Sequence, residues 1–402
     1  MNVIFLTVSR IRSIRNRGIY TDLMRKFRDE GHHVYIVAPV ERQFGLSTDL
    51  KCEDGVHILN VKTLNVQKTN VVEKGIGTLL LETQFKKAIK KYLGHISFDL
   101  ILYSTPPITL NNVIRYLKDK NPQAITYLLL KDIFPQNAVD LGMFSEKSLF
   151  YKMFRRKEVQ LYKKSDYIGC MSPANVDFVL KHNPFISKEK VELAPNSLEL
   201  VVKEEPCNCE AIRLKYKLPQ DKPIFIYGGN LGKPQGIDFL IQCLEANKDR
   251  TDCHFLIVGN GTEYKKIESW YKQTKPKSVS LYARLSKEDY DLLVQSCDVG
   301  LIFLDHRFLI PNFPSRLLSY LEYKMPIIAA TDIHSDMGRI AERNGFGYWC
   351  ESKKTEDFTA CINRILEQPD KIKTMGECGF QYLLDNYQVK HTYQAIIQHF
   401  KC

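Results

Sequence analysis

The sequence predicts an α/β protein made of two Rossmann-like halves with parallel sheets, joined near residue 200. Three observations carry that expectation. Short apolar runs of strand length alternate with segments of helical period, which is the pattern of βαβ units. The pattern breaks off after Pro195, where the polar stretch 196–222 carries Pro206 and Pro219, and then starts again. A glycine-containing turn follows the first strand of each half, at the end where a doubly wound sheet takes its ligand.

In the first half, residues 2–8 (NVIFLTV) form a buried-strand run. A basic loop ending at Gly18 leads into helical period over 19–30, Gly31 ends that helix, and 34–38 is the next strand. Further strands are expected at 98–103, 124–130 and 167–171. In the second half, 224–227 is a fresh strand and 228–232 (GGNLG) turns into a helix from about residue 237. A strand at 254–258 is stopped by Gly259-Asn260-Gly261, and 279–282, 299–303 and 326–330 follow in the same style. Two such sheets facing each other make the cleft between them the expected site.

Composition narrows the function. A chain of 402 residues suggests two or three domains. With 44% hydrophobic and 26% charged residues it has a real core and is no low-complexity chain. A net charge of +11 favours an anionic partner: a nucleotide, a phospholipid surface or nucleic acid. Nucleic acid is disfavoured because no helix-turn-helix or RRM-like signature occurs. The 11 cysteines are scattered, and Cys207 and Cys209 have no companion pair at zinc spacing, so reduced thiols and no metal site are expected. Asp289-x-Asp291 reads as a polar helix face. There is no H-x-x-x-H pair and no G-x-S-x-G elbow. No secretory signal is read at the start, and no apolar stretch approaches the roughly 20 residues of a spanning helix, so a soluble or peripheral cytoplasmic protein is expected.

Several positions could carry chemistry. The loop 9–18 holds Arg10, Arg12, Arg15 and Arg17 before a helix start, which attracts phosphate, and Gly18 permits close approach. No G-x-G-x-x-G is present, which disfavours a dehydrogenase; a solvated basic loop is the alternative. Lys233 lies beside the glycine turn 228–236, which could equally be a plain strand-to-helix loop. Ser315 is a natural N-cap, and Arg316 falls in the first helical turn, where the dipole disfavours a cation. A bound diphosphate would reverse that cost, as would a neighbouring carboxylate. Lys131-Asp132 follows the apolar run 124–130 and either faces the cleft or caps the segment after Pro135. Two basic segments carry apolar side chains. Residues 79–93 set Leu79, Leu80, Leu81 and Phe85 against Lys86, Lys87, Lys90 and Lys91. Residues 147–164 mix Phe150, Tyr151, Phe154 and Tyr162 with Arg155, Arg156, Lys157, Lys163 and Lys164. Each is either a lipid-headgroup helix or a core helix with a solvated face.

Taken together, these residues resemble the family-four retaining glycosyltransferases of the GT-B fold, of the type that builds bacterial O-antigen and capsule. The carrying stretches are 17–39 with Gly31-His32-His33-Val34, Thr105-Pro106-Pro107, Asp132-Ile133-Phe134-Pro135-Gln136, and Asn196. In the second half they are 228–236, Val258-Gly259-Asn260-Gly261, Cys297-Asp298-Val299, 314–326, Gly345-Phe346-Gly347 and Asn386-Tyr387. The resemblance implies transfer of a hexosyl or N-acetylhexosaminyl group from a nucleotide-sugar, UDP-linked, to a polyprenyl-diphosphate-linked saccharide at the inner face of the cytoplasmic membrane. It implies an acceptor domain at 1–200, a donor domain at 201–385 and a helix at 386–402 crossing back to the first domain. No metal is implied: basic side chains and helix N-termini stabilise the leaving diphosphate, and a donor phosphate oxygen takes the acceptor's proton.

On that resemblance Asp132, Lys233 and Arg316 are the catalytic candidates. Gly18, Gly229, Asn230, Gly259, Arg284, Ser315 and Ser319 fall on the donor, and Arg17, Thr105 and Lys131 on the acceptor side. The segments 79–93 and 147–164 are the implied contacts with anionic membrane. The sequence departs from the family in three places. The ends of the family's E-x7-E motif align with Pro311 and Ser319, its first-loop Arg and Lys with Asn230 and Gln235, and the His before its Asp with Lys131. Lys233 and Arg316 then supply the charge. The same departures keep a degenerate nucleotide-sugar- or glycan-binding protein as the alternative.

Overall fold

A computed structural model describes residues 1–65, 71–200 and 208–400. Pro206 and Cys207 of the expected linker, and the side chain of Leu79, lie outside the described residues. The chain divides into two compact units, Met1–Glu199 together with Gln388–Cys402, and Leu200–Tyr387.

The first unit is built on an eight-stranded sheet. Its strands are β1 (Asn2–Leu6), β2 (His33–Glu41), β3 (Asp49–Glu53), β4 (Val56–Thr63), β5 (Leu100–Ser104), β6 (Ile125–Leu130), β7 (Tyr167–Cys170) and β8 (Val191–Leu193). They lie in the order β3-β4-β2-β1-β5-β6-β7-β8, all parallel except β3. Val3, Ile4, Phe5 and Leu6 are fully buried, because a parallel strand is covered by helices on both faces. Each large apolar side chain so buried contributes about 1.5–3 kcal/mol. The helix Ile19–Asp29 lays Leu23, Met24 and Phe27 on this core. The helix Val389–Ile397 packs there too, through Tyr393 and Ile396.

The hairpin β3–β4 is an element the periodicity reading missed. Its turn is Asp54-Gly55, both residues at positive φ (49° and 79°), the conformation a two-residue hairpin turn requires. The Asp-Gly pair was the available sign of it. The short β8, at the sheet's edge, was missed as well.

The second unit carries a six-stranded parallel sheet. Its strands are β9 (Ile224–Asn230), β10 (His254–Asn260), β11 (Val279–Tyr282), β12 (Val299–Phe303), β13 (Ile327–Thr331) and β14 (Gly347–Glu351). The order β11-β10-β9-β12-β13-β14 reverses direction between β9 and β12. In doubly wound sheets that reversal opens a crevice beyond the carboxyl ends of the strands. The same reversal lies between β1 and β5 in the first unit.

Candidate functional site

In the second unit the carboxyl end of β9 is Gly228-Gly229-Asn230. Gly229 has φ 129°, a conformation that favours glycine, and a Cβ there would meet Arg316 Nη2 at 2.2 Å. Arg316 opens the helix Arg316–Glu322. Its guanidinium stacks 4.3 Å from the centre of the Tyr227 ring, and no carboxylate pairs with it among the described residues. The helix start therefore carries a cation with no protein counter-ion, which removes the carboxylate explanation of its placement. Ser319, one turn on, shares that face of the helix. Lys233 is exposed at the head of the 3-10 turn Lys233–Gln235, and its side chain makes no hydrogen bond or ion pair among the described residues. Arg284, in the loop after β11, is likewise exposed.

Several expectations change in this unit. Ser315 occupies the N-cap position but is exposed, takes helical angles (φ −63°, ψ −13°) and makes no side-chain capping bond. Asn230 donates through Nδ2 to Gln235 Oε1 at 2.8 Å, and the Gly232 N–H donates to the same oxygen at 3.3 Å. The two residues at the family's basic positions thus brace their own loop. A Cβ on Gly259 would sit 2.0 Å from the Gly229 carbonyl oxygen. That glycine is required by the close approach of β10 to β9.

In the first unit Thr7, Ser104, Thr105, Lys131 and Asp132 gather at the carboxyl ends of β1, β5 and β6. Thr105 Oγ1 accepts from the backbone N–H groups of Lys131 at 3.0 Å and Asp132 at 3.2 Å, so it fixes the chain as it leaves β6. The Asp132 carboxyl is half-buried, and burial pushes it up to about 6 against the opposing hydrogen bond from Asn137 Nδ2 at 2.7 Å. The Tyr20 phenol is raised chiefly by burial and further by the charge of Asp132.

Lys131 does not join Asp132. Its Nζ donates to the Ala194 carbonyl oxygen at 2.9 Å beside a small cavity lined by Tyr20, Asn196 and Thr392. Burial lowers its amine to about 7. Gly18 has extended angles (φ 172°), and its N–H is taken by Asp22 Oδ1 at 2.9 Å, so it is no open anion donor. Arg17 donates to the Glu199 carbonyl oxygen at 2.7 Å. Arg15 forms a two-point pair with Asp54 (2.8 Å each), and Arg10 stacks on Phe44 at 3.7 Å. Most of the basic loop is thus committed within the unit.

The two basic segments also separate. In the helix Val71–Tyr92, Leu81, Phe85 and Ile89 are buried, and Lys86 and Lys90 lie over the Tyr116 ring. This segment is a core helix with a solvated face. In the helix Leu149–Lys164, Tyr162 is buried on Glu158 at 2.7 Å, Arg155 pairs with Glu158 at 2.6 Å, and Phe154 packs on Phe134. Those three do not face solvent as a lipid contact would. The first turns differ: Leu149 is 82% exposed, Phe150 66% and Met153 41%, with Met143 just upstream at 63%. Lys147, Lys152 and Arg156 are exposed among them.

Sequence reasoning missed Tyr227, Tyr290, Tyr320 and Asn137, the side chains that surround Arg316 and Asp132. Among the described residues no three His, Cys, Asp or Glu side chains gather as a metal site would require, and no helix is long and apolar enough to cross a membrane.

Residues 208–381 match the family described as glycosyl transferases group 1. Among curated proteins, the chain is 22% identical over 268 residues to a probable glycosyltransferase, WbjE, of Pseudomonas aeruginosa, covering 65% of this chain and 64% of that one. It is 23% identical over 187 residues to WcaI of Escherichia coli K12, a putative colanic acid biosynthesis glycosyl transferase, covering 46% of each. The matches thus span less than two thirds of either relative. Among solved structures, sucrose-phosphate synthase from Thermosynechococcus elongatus aligns with a TM-score of 0.75 at 17% identity, over 99% of this chain and 98% of that one. HepE of Anabaena, solved with UDP, gives 0.70 at 14%, over 100% and 99%. Two doubly wound units, a carboxyl-end crevice in each and the likeness to these solved structures lead to one assignment: the chain has the GT-B fold, and nearly all of its second unit is similar to the group 1 glycosyl transferases.

Proposed function

We propose that the protein is a retaining glycosyltransferase of bacterial surface-polysaccharide synthesis. It takes a hexosyl or N-acetylhexosaminyl group from a UDP-sugar held by the second unit and passes it to a polyprenyl-diphosphate-linked saccharide at the inner face of the cytoplasmic membrane. The observation that carries the reading is Arg316: a guanidinium at the carboxyl end of a doubly wound sheet, beside a glycine that leaves it room and with no carboxylate to neutralise it. Such a group suits a diphosphate whose charge grows as the sugar leaves. Lys233 adds a second cation, and Ser319 and Arg284 belong to the same donor end. The relatives' printed roles and the UDP in the Anabaena structure support the donor class. No metal enters the reaction; Arg316 and Lys233 take the leaving charge.

Asp132 serves the acceptor side. Half-buried and hydrogen-bonded by Asn137 and the Ile133 backbone, its carboxylate is to accept from a sugar hydroxyl as well. The acceptor's lipid is met at the bilayer, where Phe150, Leu149 and the neighbouring cations offer contact. The experiment is isothermal titration of the full chain with UDP, UDP-glucose and UDP-N-acetylglucosamine, followed by release of UDP on adding a lipid-linked acceptor. Tight UDP binding with no release for any acceptor identifies a binding protein instead. Absence of UDP binding overturns the reading.

A further inference from the structure

Arg316 sits in a socket whose walls are supplied by tyrosines and whose space is supplied by glycines. A Cβ on Gly228 would lie 1.9 Å from Tyr290 Oη, one on Gly229 2.2 Å from Arg316 Nη2, and one on Gly300 2.3 Å from Tyr320 Cδ2. Each missing side chain is thus replaced by a group belonging to the socket. Tyr227 and Tyr320 are fully buried. Their hydroxyls are fixed on backbone: Tyr227 donates to the Asn230 carbonyl oxygen at 2.7 Å, and Tyr320 to that of Ile226 at 3.1 Å. The guanidinium lies over the Tyr227 ring, where the face of an aromatic attracts a cation without neutralising it.

We propose that Tyr227 is a positioning residue for the donor diphosphate: its ring holds Arg316 in one orientation, charged and aimed at an anion beyond the end of β9. The inference rests on the proposed role of Arg316. A carboxylate in that place would also fix the arginine, but it would compete with the phosphate. A phenyl face fixes it and leaves its donors to the ligand. An arginine loose in solvent must lose its rotamer freedom when the ligand arrives, which weakens binding by about 2- to 10-fold for one long side chain. The hydroxyl has a separate task, since its bond to the Asn230 carbonyl oxygen fixes the glycine turn.

The test is titration of the full chain with UDP and with uridine, for wild type, Tyr227→Phe, Tyr227→Leu and Arg316→Ala. Tyr227→Leu should weaken UDP by about 2- to 10-fold and leave uridine affinity unchanged, because only the diphosphate meets Arg316. Tyr227→Phe keeps the ring and should keep most of the UDP affinity. Equal losses for UDP and uridine in Tyr227→Leu show a merely structural ring and overturn the inference. So does an unchanged UDP affinity in Tyr227→Leu when Arg316→Ala loses UDP selectively. If Tyr227→Leu does not fold, Tyr227→Met, which also removes the ring face but keeps more of its volume, carries the same comparison. An Arg316→Ala protein that binds UDP as wild type does, or a wild type that binds neither nucleotide, overturns the reading of the site itself.

Discussion

Replacing Lys131 by methionine should make the first unit more stable in mild acid and less stable in mild alkali. Burial lowers the Lys131 amine from 10.5 to about 7, so folding works against its protonation. In the window between those two values the unfolded chain binds the proton and the folded chain does not. Stability therefore rises with pH from about 7 towards 10.5, and the contribution is lowest below 7, where the charge must be buried. At 1.36 kcal/mol for each pH unit the full interval corresponds to about 5 kcal/mol. Lys131 is only half-buried, so a swing of about 1–3 kcal/mol is the working figure. A thioether side chain carries no charge and removes this dependence, but Lys131→Met leaves the Ala194 carbonyl oxygen without its 2.9 Å donor, at about 1 kcal/mol. The two effects have opposite sign, so the stability curves of variant and wild type should cross. Urea unfolding of both proteins at pH 6, 8 and 10 measures this. Parallel curves over that range would show that the amine is free to keep its proton in the folded state, and the argument would fail.

Arg316→Ala should cost on the order of 10² to 10³ in the rate of sugar transfer, read as UDP release. Arg316→Lys should recover little, since an ammonium cannot make the planar two-point contact with a diphosphate. Asp132→Asn should lower turnover while UDP binding stays close to wild type. Because the Asp132 carboxyl sits at about 6, wild-type turnover should fall as pH drops through that value, a limb that Asp132→Asn should lose in a pH–rate profile. Leu149→Asp with Phe150→Asp should abolish flotation with anionic vesicles and spare UDP binding, whereas Tyr162→Phe should not change flotation. Equal flotation on neutral and anionic vesicles would remove the charge contribution.

Most strands of both sheets could be read from the sequence because a strand covered on both faces is a continuous apolar run, as 2–6 and 254–258 are; the edge strands β8 and β14 were not. The hairpin β3–β4 could not be found that way. Its outer strand is half exposed, and only Asp54-Gly55 announced it. Arg316 stood out in the sequence because a cation at a helix start contradicts the local field, and the structure places it there over the Tyr227 ring with no carboxylate partner among the described residues. The internal partners of Gly18, Lys131 and Asn230 were not legible, for a common reason. Whether a polar group is free depends on partners the sequence does not place beside it: Asp22 for Gly18, Ala194 for Lys131, Gln235 for Asn230. The tyrosine socket was illegible because it joins β9, β12 and two helices through gaps left by glycines, and no local spacing records such a meeting.

The helix Val389–Ile397 has a consequence for how this protein comes off the ribosome. It follows the second unit in the chain yet completes the core of the first, where Tyr393 packs on Phe27 at 4.9 Å, bonds His32 at 2.9 Å, and Ile396 is fully buried. Nearly 200 residues must be translated between Glu199 and that helix, which takes on the order of 10–40 s at typical bacterial rates. During that interval the nascent first unit shows an uncovered apolar strip along Leu23 and Phe27. A chaperone that binds short apolar segments has its opportunity there, and a stop codon just before Val389 would leave that strip bare for the life of the protein. A fragment ending at residue 199 is accordingly a poor choice for expressing the first unit, and joining 388–400 to it through a flexible linker is the better one.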